Sequence, residues 1–367
     1  MTYKETLFFV AKCLTINHEA HNKRIVEKML QSKTVEWDEV VKLSTAHFVF
    51  PALYCNLKRA YFLSYLPEDL VDYMKYITEL NRERNEEIIA QAKELNTLLL
   101  EHHITPIFLK GTGNLLEGLY EDIAERMVGD IDFIFSKGDY PKAIELLENY
   151  GYTHNYKIDK LLNKKPMHYP RLVNENKIAA IEIHKELLSI NYRQEFNYNF
   201  IKNSTQRIHR VSVLSFKNQL SLSIIASQIN DSGFEHKNLS LRNAYDVFLL
   251  SKKTIAKNAF KKFNRLEHPL HCFLASCFEV FNKPKTLQYT TSKKIEEYLI
   301  VFNKYLNNRN LHTSNYKKKI KKKRILRLFT IIYKSFFHKE YRVWLFKRIT
   351  DKNWRKEKLI QLGIKKP

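Results

Sequence analysis

Two acidic residues, Asp130 and Asp132, flank one isoleucine and lead into the apolar segment 133–135. Side chains on a β-strand alternate between its two faces, so both carboxylates would lie on the same face. Neighbouring anions repel each other unless a cation or a proton offsets their charge. The pair therefore predicts either a Mg²⁺ site, since Mg²⁺ takes carboxylate oxygens as ligands, or an exposed strand end.

A third acid follows on a second strand-like segment, residues 178–184. The alternation there places Glu182 and His184 on one face and Ile181 and Ile183 on the other. Three acids on neighbouring strands could hold two metal ions, and such a pair clamps the attacking and leaving oxygens of an in-line phosphoryl or nucleotidyl displacement. The alternative for each acid is an exposed position at a strand end.

Upstream, Pro106 introduces an apolar strand at 107–109, and a short segment with two glycines follows it. We expect this segment to be a loop whose glycines let the backbone approach a phosphate and whose lysine adds positive charge. Its residues are Lys110, Gly111, Thr112 and Gly113.

These motifs occur together with an arginine and two flanking helical segments. The set comprises Leu109-Lys110-Gly111, Arg126, Asp130-Ile131-Asp132 and Ile181-Glu182-Ile183-His184, with Trp37 to Leu57 upstream and Leu241 to Asp246 downstream. It resembles the uncharacterised nucleotidyltransferase family (the NTP transferase 5 group) of the polymerase-β-like superfamily, over roughly residues 25–250. The chain departs from the wider superfamily at Thr112, where Gly or Ser usually follows the glycine, and in a longer gap to Asp130.

The resemblance implies a two-metal centre. Asp130 and Asp132 would bridge two Mg²⁺ ions, one neutralising the triphosphate and one lowering the pKa of an acceptor hydroxyl. Glu182 would ligate the second ion and could accept the proton. His184 has two interpretations, since it either hydrogen-bonds the acceptor or a phosphate, or orients Glu182.

The resemblance also implies a nucleotide-binding segment. The backbone from Gly111 through Thr112 to Gly113, together with Lys110, would bind the β and γ phosphates of an NTP. Arg126 would offset the charge that develops on the leaving pyrophosphate.

These residues lead to one principal function and two alternatives. The principal one is a Mg²⁺-dependent nucleotidyltransferase that moves an NMP from an NTP to an acceptor hydroxyl or phosphate and releases pyrophosphate. The acceptor stays open among RNA, protein, sugar and small molecule. The alternatives are a catalytically silent nucleotide- or polyanion-binding protein of the same fold, and a nuclease or phosphohydrolase that uses the same acids.

Composition favours helices around a small sheet. Eight glycines in 367 residues leave little material for the tight turns of a large sandwich or barrel, and long Leu-, Ile-, Lys- and Glu-rich segments favour helices. We therefore expect an α+β fold, a small mixed β-sheet nucleotidyltransferase core of the polymerase-β-like type flanked by helical regions. The expected divisions are 1–85 (N-terminal helical region), 86–215 (core), 216–310 (C-terminal helical region) and 311–367 (basic helical tail).

Three local patterns support this division. Residues Ile88, Ala92, Leu95 and Leu99 recur at helical spacing and predict a helix that packs on the sheet. Pro141 and Gly151 bracket a second predicted helix. Residues 152–177 are either a strand pair that holds the acceptor or a solvated hairpin. Arg242 and Asp246 lie four residues apart on a predicted helix, and this spacing predicts a supporting ion pair.

The cysteines indicate a reducing compartment. Cys13, Cys55, Cys272 and Cys277 show no CxxC spacing, so a disulfide scaffold is not expected. His268 and His271 lie near Cys272, but an apolar helical run without a familiar ligand spacing favours packing over a zinc site. No signal-peptide pattern is found at Met1 to Asn17, and no apolar run approaches the ~20 residues of a membrane span. We expect a cytoplasmic protein.

Positive charge concentrates at the C-terminal end. Residues 317–367 contain 19 Lys or Arg and three acids, whereas residues 1–316 contain 43 and 36. A run of lysines at 317–324 precedes an apolar and aromatic segment at 326–337. This pattern predicts either RNA or anionic-membrane contact through residues 317–367, or a solvated face on a helical domain whose aromatic residues are core.

Overall fold

A computed structural model describes residues 1–154, 167–189, 191–353 and 355–356. The described residues up to 303 form one compact unit, and those from 304 onward form a second. The predicted divisions at 85 and 310 lie inside helices, at residues 68–101 and 309–337.

The chain begins with a group of helices, as its pattern predicts. Thr2 and Glu5 form a capping box that starts the first helix. The last helix of the group buries most of its residues. The group comprises α1 (Tyr3–Cys13), α2 (Ala20–Gln31), α3 (Trp37–Ala46) and α4 (Phe50–Arg59).

A long helix, α5 (Glu68–Glu101), leads from this group to the sheet. It buries the residues that the helical spacing selected, Ile88, Ala92, Leu95 and Leu99. Asn81 and Asn85 also lie on its buried face, where their amides donate to backbone carbonyls of residues 123–126. These bonds fix the segment that enters the acidic strand.

The sheet is small and mixed, which confirms the expected α+β class. Its strands are β1 (Ile107–Phe108), β2 (Asp130–Ile134), β3 (Ala180–His184), β4 (Thr205–Ile208) and β5 (Val211–Leu214). Their spatial order is β3-β2-β1-β5-β4. The pairs β2–β3 and β1–β5 are parallel, and the other two pairs are antiparallel.

The segment predicted to be a phosphate loop is instead the first turn of α6 (Lys110–Glu117), which corrects that expectation. Its glycines permit close packing of this helix. A Cβ at Gly113 would lie 2.9 Å from the carbonyl oxygen of Phe108, and one at Gly111 would lie 2.9 Å from Val128 Cγ2. The absent side chains therefore let α6 approach β1 and the segment that leads into β2.

The next predicted helix is present as α7 (Asp139–Asn149), with Pro141 in its first turn. Gly151 follows with φ 91°, the left-handed conformation that glycine adopts freely. Much of the predicted strand pair at 152–177 lies outside the described residues. The described part pairs with the outer edge of β3, since Leu172 bridges Ile181 and His168 bridges His184.

The second half of the first unit is mainly helical. A π-helical turn, Ala226–Asn230, continues the second of its helices, α9. The cysteines are free and buried. The His271 ring packs edge-on against the Phe260 ring with their centroids 5.0 Å apart, in agreement with the prediction that this histidine serves packing. The helices are α8 (Tyr198–Ile201), α9 (Phe216–Ile225), α10 (Gly233–His236), α11 (Leu241–Ser251), α12 (Glu267–Val280) and α13 (Lys293–Asn307), the last of which extends four residues into the second unit.

The second unit contains two further helices, α14 (Arg309–Phe337) and α15 (Lys339–Thr350). They meet at His338, which occupies the C-cap position of α14 and the N-cap position of α15. Within the described residues, none of the helices combines the length and the apolar character needed to cross a lipid bilayer.

Candidate metal centre

Adjacent parallel strands bring the predicted acids together. Asp132 on β2 and Glu182 on β3 are direct register partners, and His184 lies two residues further along β3. Because side chains alternate along a strand, all three project from one face of the sheet. Asp132 and His184 are buried, whereas the side chain of Glu182 is 21% exposed.

These three side chains form a compact ligand group. One oxygen or nitrogen from each of Asp132, Glu182 and His184 lies within 4.8 Å of the others. The His184 Nε2 lies 2.8 Å from Asp132 Oδ1 and 3.9 Å from Glu182 Oε2. We refer to Asp132, Glu182 and His184 as the ligand group. Among the described residues it is the one cluster of three or more His, Cys, Asp or Glu of this compactness.

Asp130, the other half of the predicted acid pair, is not part of this group. Its carboxylate forms an ion pair with Arg171, from the segment beside β3. Burial and the nearby Asp132 charge raise the pKa of Asp130, although the Arg171 guanidinium opposes this. The two acids thus have different environments despite sharing a strand face.

Lys110 places its ammonium against the ligand group. Its Nζ lies 2.6 Å from Asp132 Oδ1, 3.2 Å from His184 Nε2 and 3.8 Å from Glu182 Oε2. The backbone of Lys110 has φ 52°, a left-handed conformation that non-glycine residues rarely adopt. The first residue of α6 is therefore held in a strained conformation while its side chain supplies a cation to the group.

The charges of Asp132 and Lys110 stabilise each other. Burial opposes ionisation of Asp132, but the Lys110 ammonium and the His184 hydrogen bond hold the pKa of Asp132 well below its usual value. Burial likewise opposes the charge on Lys110, yet Asp132 raises the pKa of Lys110. Both groups are consequently charged at neutral pH.

The donor set of the ligand group suits a divalent cation. Two carboxylates and one imidazole are ligands for Mn²⁺ and Zn²⁺, and carboxylates alone are the usual protein ligands of Mg²⁺. The Lys110 ammonium already shows that a positive charge is stable beside these atoms. A metal ion therefore fits the residues present.

The predicted phosphate-binding residues are used partly for packing. Thr112 donates its hydroxyl to the backbone oxygen of Asp130 at 2.9 Å, and it is buried with Gly111 and Gly113. The start of α6 carries no side-chain cap, and the positive end of a helix dipole favours a nearby anion.

Arg126 lies behind this helix start, in a buried ion pair. Its Nε donates to Asp246 Oδ1 at 3.0 Å and its Nη1 donates to the Met127 carbonyl oxygen at 2.7 Å. Two atoms of its guanidinium would lie 3.5 Å from a Cβ at Gly111. Arg126 thus supports the first turn of α6, an arrangement that the sequence pattern did not indicate.

The prediction of an ion pair between Arg242 and Asp246 is wrong. Asp246 accepts hydrogen bonds from Arg126 and from the Tyr120 hydroxyl, the latter at 2.7 Å. Arg242 instead lies over the Phe48 ring, 5.0 Å from its centroid. Helical spacing places the two residues near each other, but the Asp246 carboxylate pairs with Arg126 and Tyr120, which are distant in sequence.

Asp231 is a further acid near the site that sequence reasoning missed. It follows the π-helical turn after α9, and its charge acts on Lys110. Burial raises the pKa of Asp231, while Lys110 and Arg242 lower it. The signal that could have found it is the Asn230-Asp231-Ser232-Gly233 sequence at the end of an apolar helix, a turn composition that often carries functional residues.

The structure thus defines an α+β protein whose small mixed sheet carries the candidate metal centre on two parallel strands. Residues 33–282 match the family described as "Uncharacterised nucleotidyltransferase" (NTP transferase 5), and the chain belongs to this family. The match extends past the resemblance at residue 250 and includes α12. Searches among curated proteins and among solved structures found no match.

Proposed function

We propose that this protein is a metal-dependent nucleotidyltransferase that moves an NMP from an NTP to an acceptor hydroxyl or phosphate and releases pyrophosphate. The observation that supports this best is the ligand group on β2 and β3 within a chain of the nucleotidyltransferase family. A buried Asp, a Glu and a His with a neighbouring cation form an arrangement suited to binding a divalent metal and an anionic substrate.

The ligand group would hold the metal ion. Asp132, Glu182 and His184 would supply two oxygens and one nitrogen to it. When bound, a divalent cation neutralises triphosphate charge and lowers the pKa of an attacking hydroxyl. Lys110 balances the carboxylates before the ion arrives, and we propose that its ammonium then serves the β and γ phosphates of the NTP.

Asp130 is the proposed additional ligand of a two-metal site with Mg²⁺. Its backbone lies on the same strand as Asp132, and its carboxylate currently pairs with Arg171, whose side chain is 50% exposed. Exchange of this exposed partner for a metal ion would be inexpensive, because exposed ion pairs contribute little free energy. The acid that accepts the proton would be Glu182, the most exposed member of the ligand group.

The start of α6 is the proposed triphosphate site. Backbone N–H groups of Lys110, Gly111 and Thr112 begin this helix without a side-chain cap, and the helix dipole favours an anion there. Gly113 lets this helix pack closely against β1, and Arg126 supports its first turn. We therefore propose that Arg126 contributes to nucleotide binding through the position of α6.

A catalytically silent nucleotide-binding protein is the second candidate. It is favoured by one observation, the Lys110 ammonium bonded to Asp132 and beside His184 in the ligand group. A permanent lysine there would replace the metal ion and leave a site that binds a nucleotide without turnover.

The test incubates the purified protein with Mg²⁺ or Mn²⁺ and each of four labelled NTPs, with and without cellular RNA and lysate. We expect metal-dependent pyrophosphate release and transfer of label to one acceptor fraction, both abolished in Asp132→Asn. Metal-independent nucleotide binding with no turnover of any NTP would support the silent protein. Release of NMP without label transfer would support a phosphohydrolase.

A further inference from the structure

Helix α14 in the second unit presents an apolar stripe to the solvent. Its members are spaced three and four residues apart, so they lie on one helix face. They are Leu326, Phe329, Tyr333, Phe336 and Phe337, with exposed fractions of 55%, 64%, 66%, 73% and 68%. Exposed apolar surface of this extent marks a site of interaction with a partner or a membrane.

Helix α15 has a similar stripe formed by Val343, Phe346 and Ile349, which are also exposed. The two helices pack on each other through other residues. Ile331 and Tyr341 are buried, and Arg342 Nη1 donates to the Ser335 carbonyl oxygen at 3.2 Å. The packing between α14 and α15 therefore leaves both apolar stripes exposed.

The apolar stripe continues into a basic one. The turns of α14 before Leu326 contain seven basic residues in the segment 317–324, all of them exposed. Lys319 and Lys322 continue the face of Leu326 and Phe329 at helical spacing. The helix thus joins a strongly cationic half to an apolar half along one face.

We propose that the second unit docks on an anionic lipid bilayer through α14. The apolar stripe would enter the boundary between headgroups and acyl chains, and the lysine run would contact the anionic headgroups. This contact is independent of the metal centre and would place the first unit at a membrane surface.

Charge and side-chain chemistry favour lipid over the other occupants. Residues 317–367 contain 19 Lys or Arg against three acids, and this excess of positive charge opposes association with a second copy of the chain. Aliphatic members such as Leu326, Val343 and Ile349 have no flat face on which a nucleic-acid base could stack. Acyl chains accept aliphatic and aromatic side chains equally well.

The test measures co-sedimentation of the full chain with phosphatidylcholine vesicles and with vesicles that also contain phosphatidylglycerol. We expect binding only to the anionic vesicles, weakened by high salt. Phe329→Ser with Phe336→Ser, and separately Lys318→Gln with Lys322→Gln, should each lower the partition coefficient about tenfold. The matched control is Tyr61→Ser with Tyr76→Ser, exposed aromatics of the first unit, which should bind like the wild type.

Three results would overturn the proposal. The first is absence of binding to anionic vesicles, or an equal loss in the Tyr61 and Tyr76 control. The second is binding to single-stranded RNA that the phenylalanine variant abolishes, with no vesicle binding. The third is a concentration-dependent dimer, seen by light scattering, that the phenylalanine variant converts to monomer. Circular dichroism of each variant verifies that the helices remain folded.

Discussion

Lys110 is the residue whose position most affects the proposed chemistry. Its ammonium approaches Asp132, His184 and Glu182, so it would compete with a divalent cation for the same ligand atoms. A lysine that both compensates the carboxylates and serves a phosphate must leave the ligand group during the reaction. Removal of its charge separates these two tasks.

We predict that Lys110→Met raises divalent-metal affinity and lowers turnover of NTP. Metal affinity rises because the carboxylates lose a competing cation, and turnover falls because the triphosphate loses a partner, each by about tenfold. Isothermal titration with Mn²⁺ and the pyrophosphate assay measure the two effects. Lys42→Met, at an exposed ion pair with Glu39, is the control. A variant with weaker metal binding would show that Lys110 does not compete with the ion.

The sequence predicted this site in part. The period of a strand was sufficient to place Asp132, Glu182 and His184 on one face, because that relation is local to each strand. It could not predict that Arg171 would pair with Asp130, or that Lys110 would turn its ammonium toward Asp132. Those contacts depend on how separate segments pack, which no local pattern contains.

At the scale of elements, the packing of α6 against β1 positions the site. The helix begins directly after the strand, and Gly113 lets it approach the carbonyl oxygen of Phe108. The sequence predicted β1 correctly but assigned the glycines to a loop, because glycine within a short helix and glycine in a loop look alike without knowledge of the neighbouring strand.

Gly113→Ala should lower the free energy of unfolding by about 1–3 kcal/mol. The new Cβ would meet the backbone oxygen of Phe108 at 2.9 Å, and this clash outweighs the helix propensity that alanine gains. Denaturant unfolding measures the change. Gly129→Ala is the matched control, since a Cβ there meets nothing within 4 Å. Equal stabilities of the two variants would contradict the close approach of α6.

A second set of contacts joins α4 to α11 through Glu125. This carboxylate pairs with Arg59 of α4 and accepts a hydrogen bond from the Tyr245 hydroxyl of α11 at 2.6 Å. Burial raises the pKa of Glu125 from 4.5 to about 7, although the Arg59 charge opposes this. The residues lie far apart in sequence, so no pattern along the chain predicts the network.

This raised pKa gives a pH dependence of stability. Between pH 4.5 and about 7 the folded protein retains the Glu125 proton that the unfolded chain has released, so the contribution of Glu125 falls as pH rises. It amounts to about 3 kcal/mol over that range. The free energy of unfolding of Glu125→Gln should not show this decrease between pH 5 and pH 7. Urea unfolding at the two pH values measures it. A difference from wild type that is the same at both pH values would contradict it.

At the scale of the whole molecule, the candidate metal centre and the basic helices belong to different compact units. The family match ends at residue 282, and the excess of positive charge begins at residue 317. The sequence predicted this division of charge, since net charge can be counted without a structure. The predicted divisions at 85 and 310 fall within the helices at residues 68–101 and 309–337.

Truncation after Asn308, the residue before α14, should leave the first unit folded. We expect its metal-dependent turnover to stay within a factor of about two of the full chain, because the described residues up to 303 form their own compact unit. Thermal unfolding and the pyrophosphate assay measure the outcome. Loss of cooperative unfolding would show that the second unit is needed for the fold of the first.

The most direct measurement is Mn²⁺ binding by electron paramagnetic resonance, without nucleotide, in the wild type and in single variants of the acids. We expect the wild type to bind Mn²⁺, and we expect Asp132→Asn, Glu182→Gln and His184→Gln each to lose at least about tenfold in affinity. Asp130→Asn should retain the affinity for the ion held by the ligand group, since Asp130 pairs with Arg171 outside that group and is proposed only as an additional ligand of a second ion. Wild-type affinity in Asp132→Asn, or loss of binding in Asp130→Asn alone, would contradict the assigned metal centre.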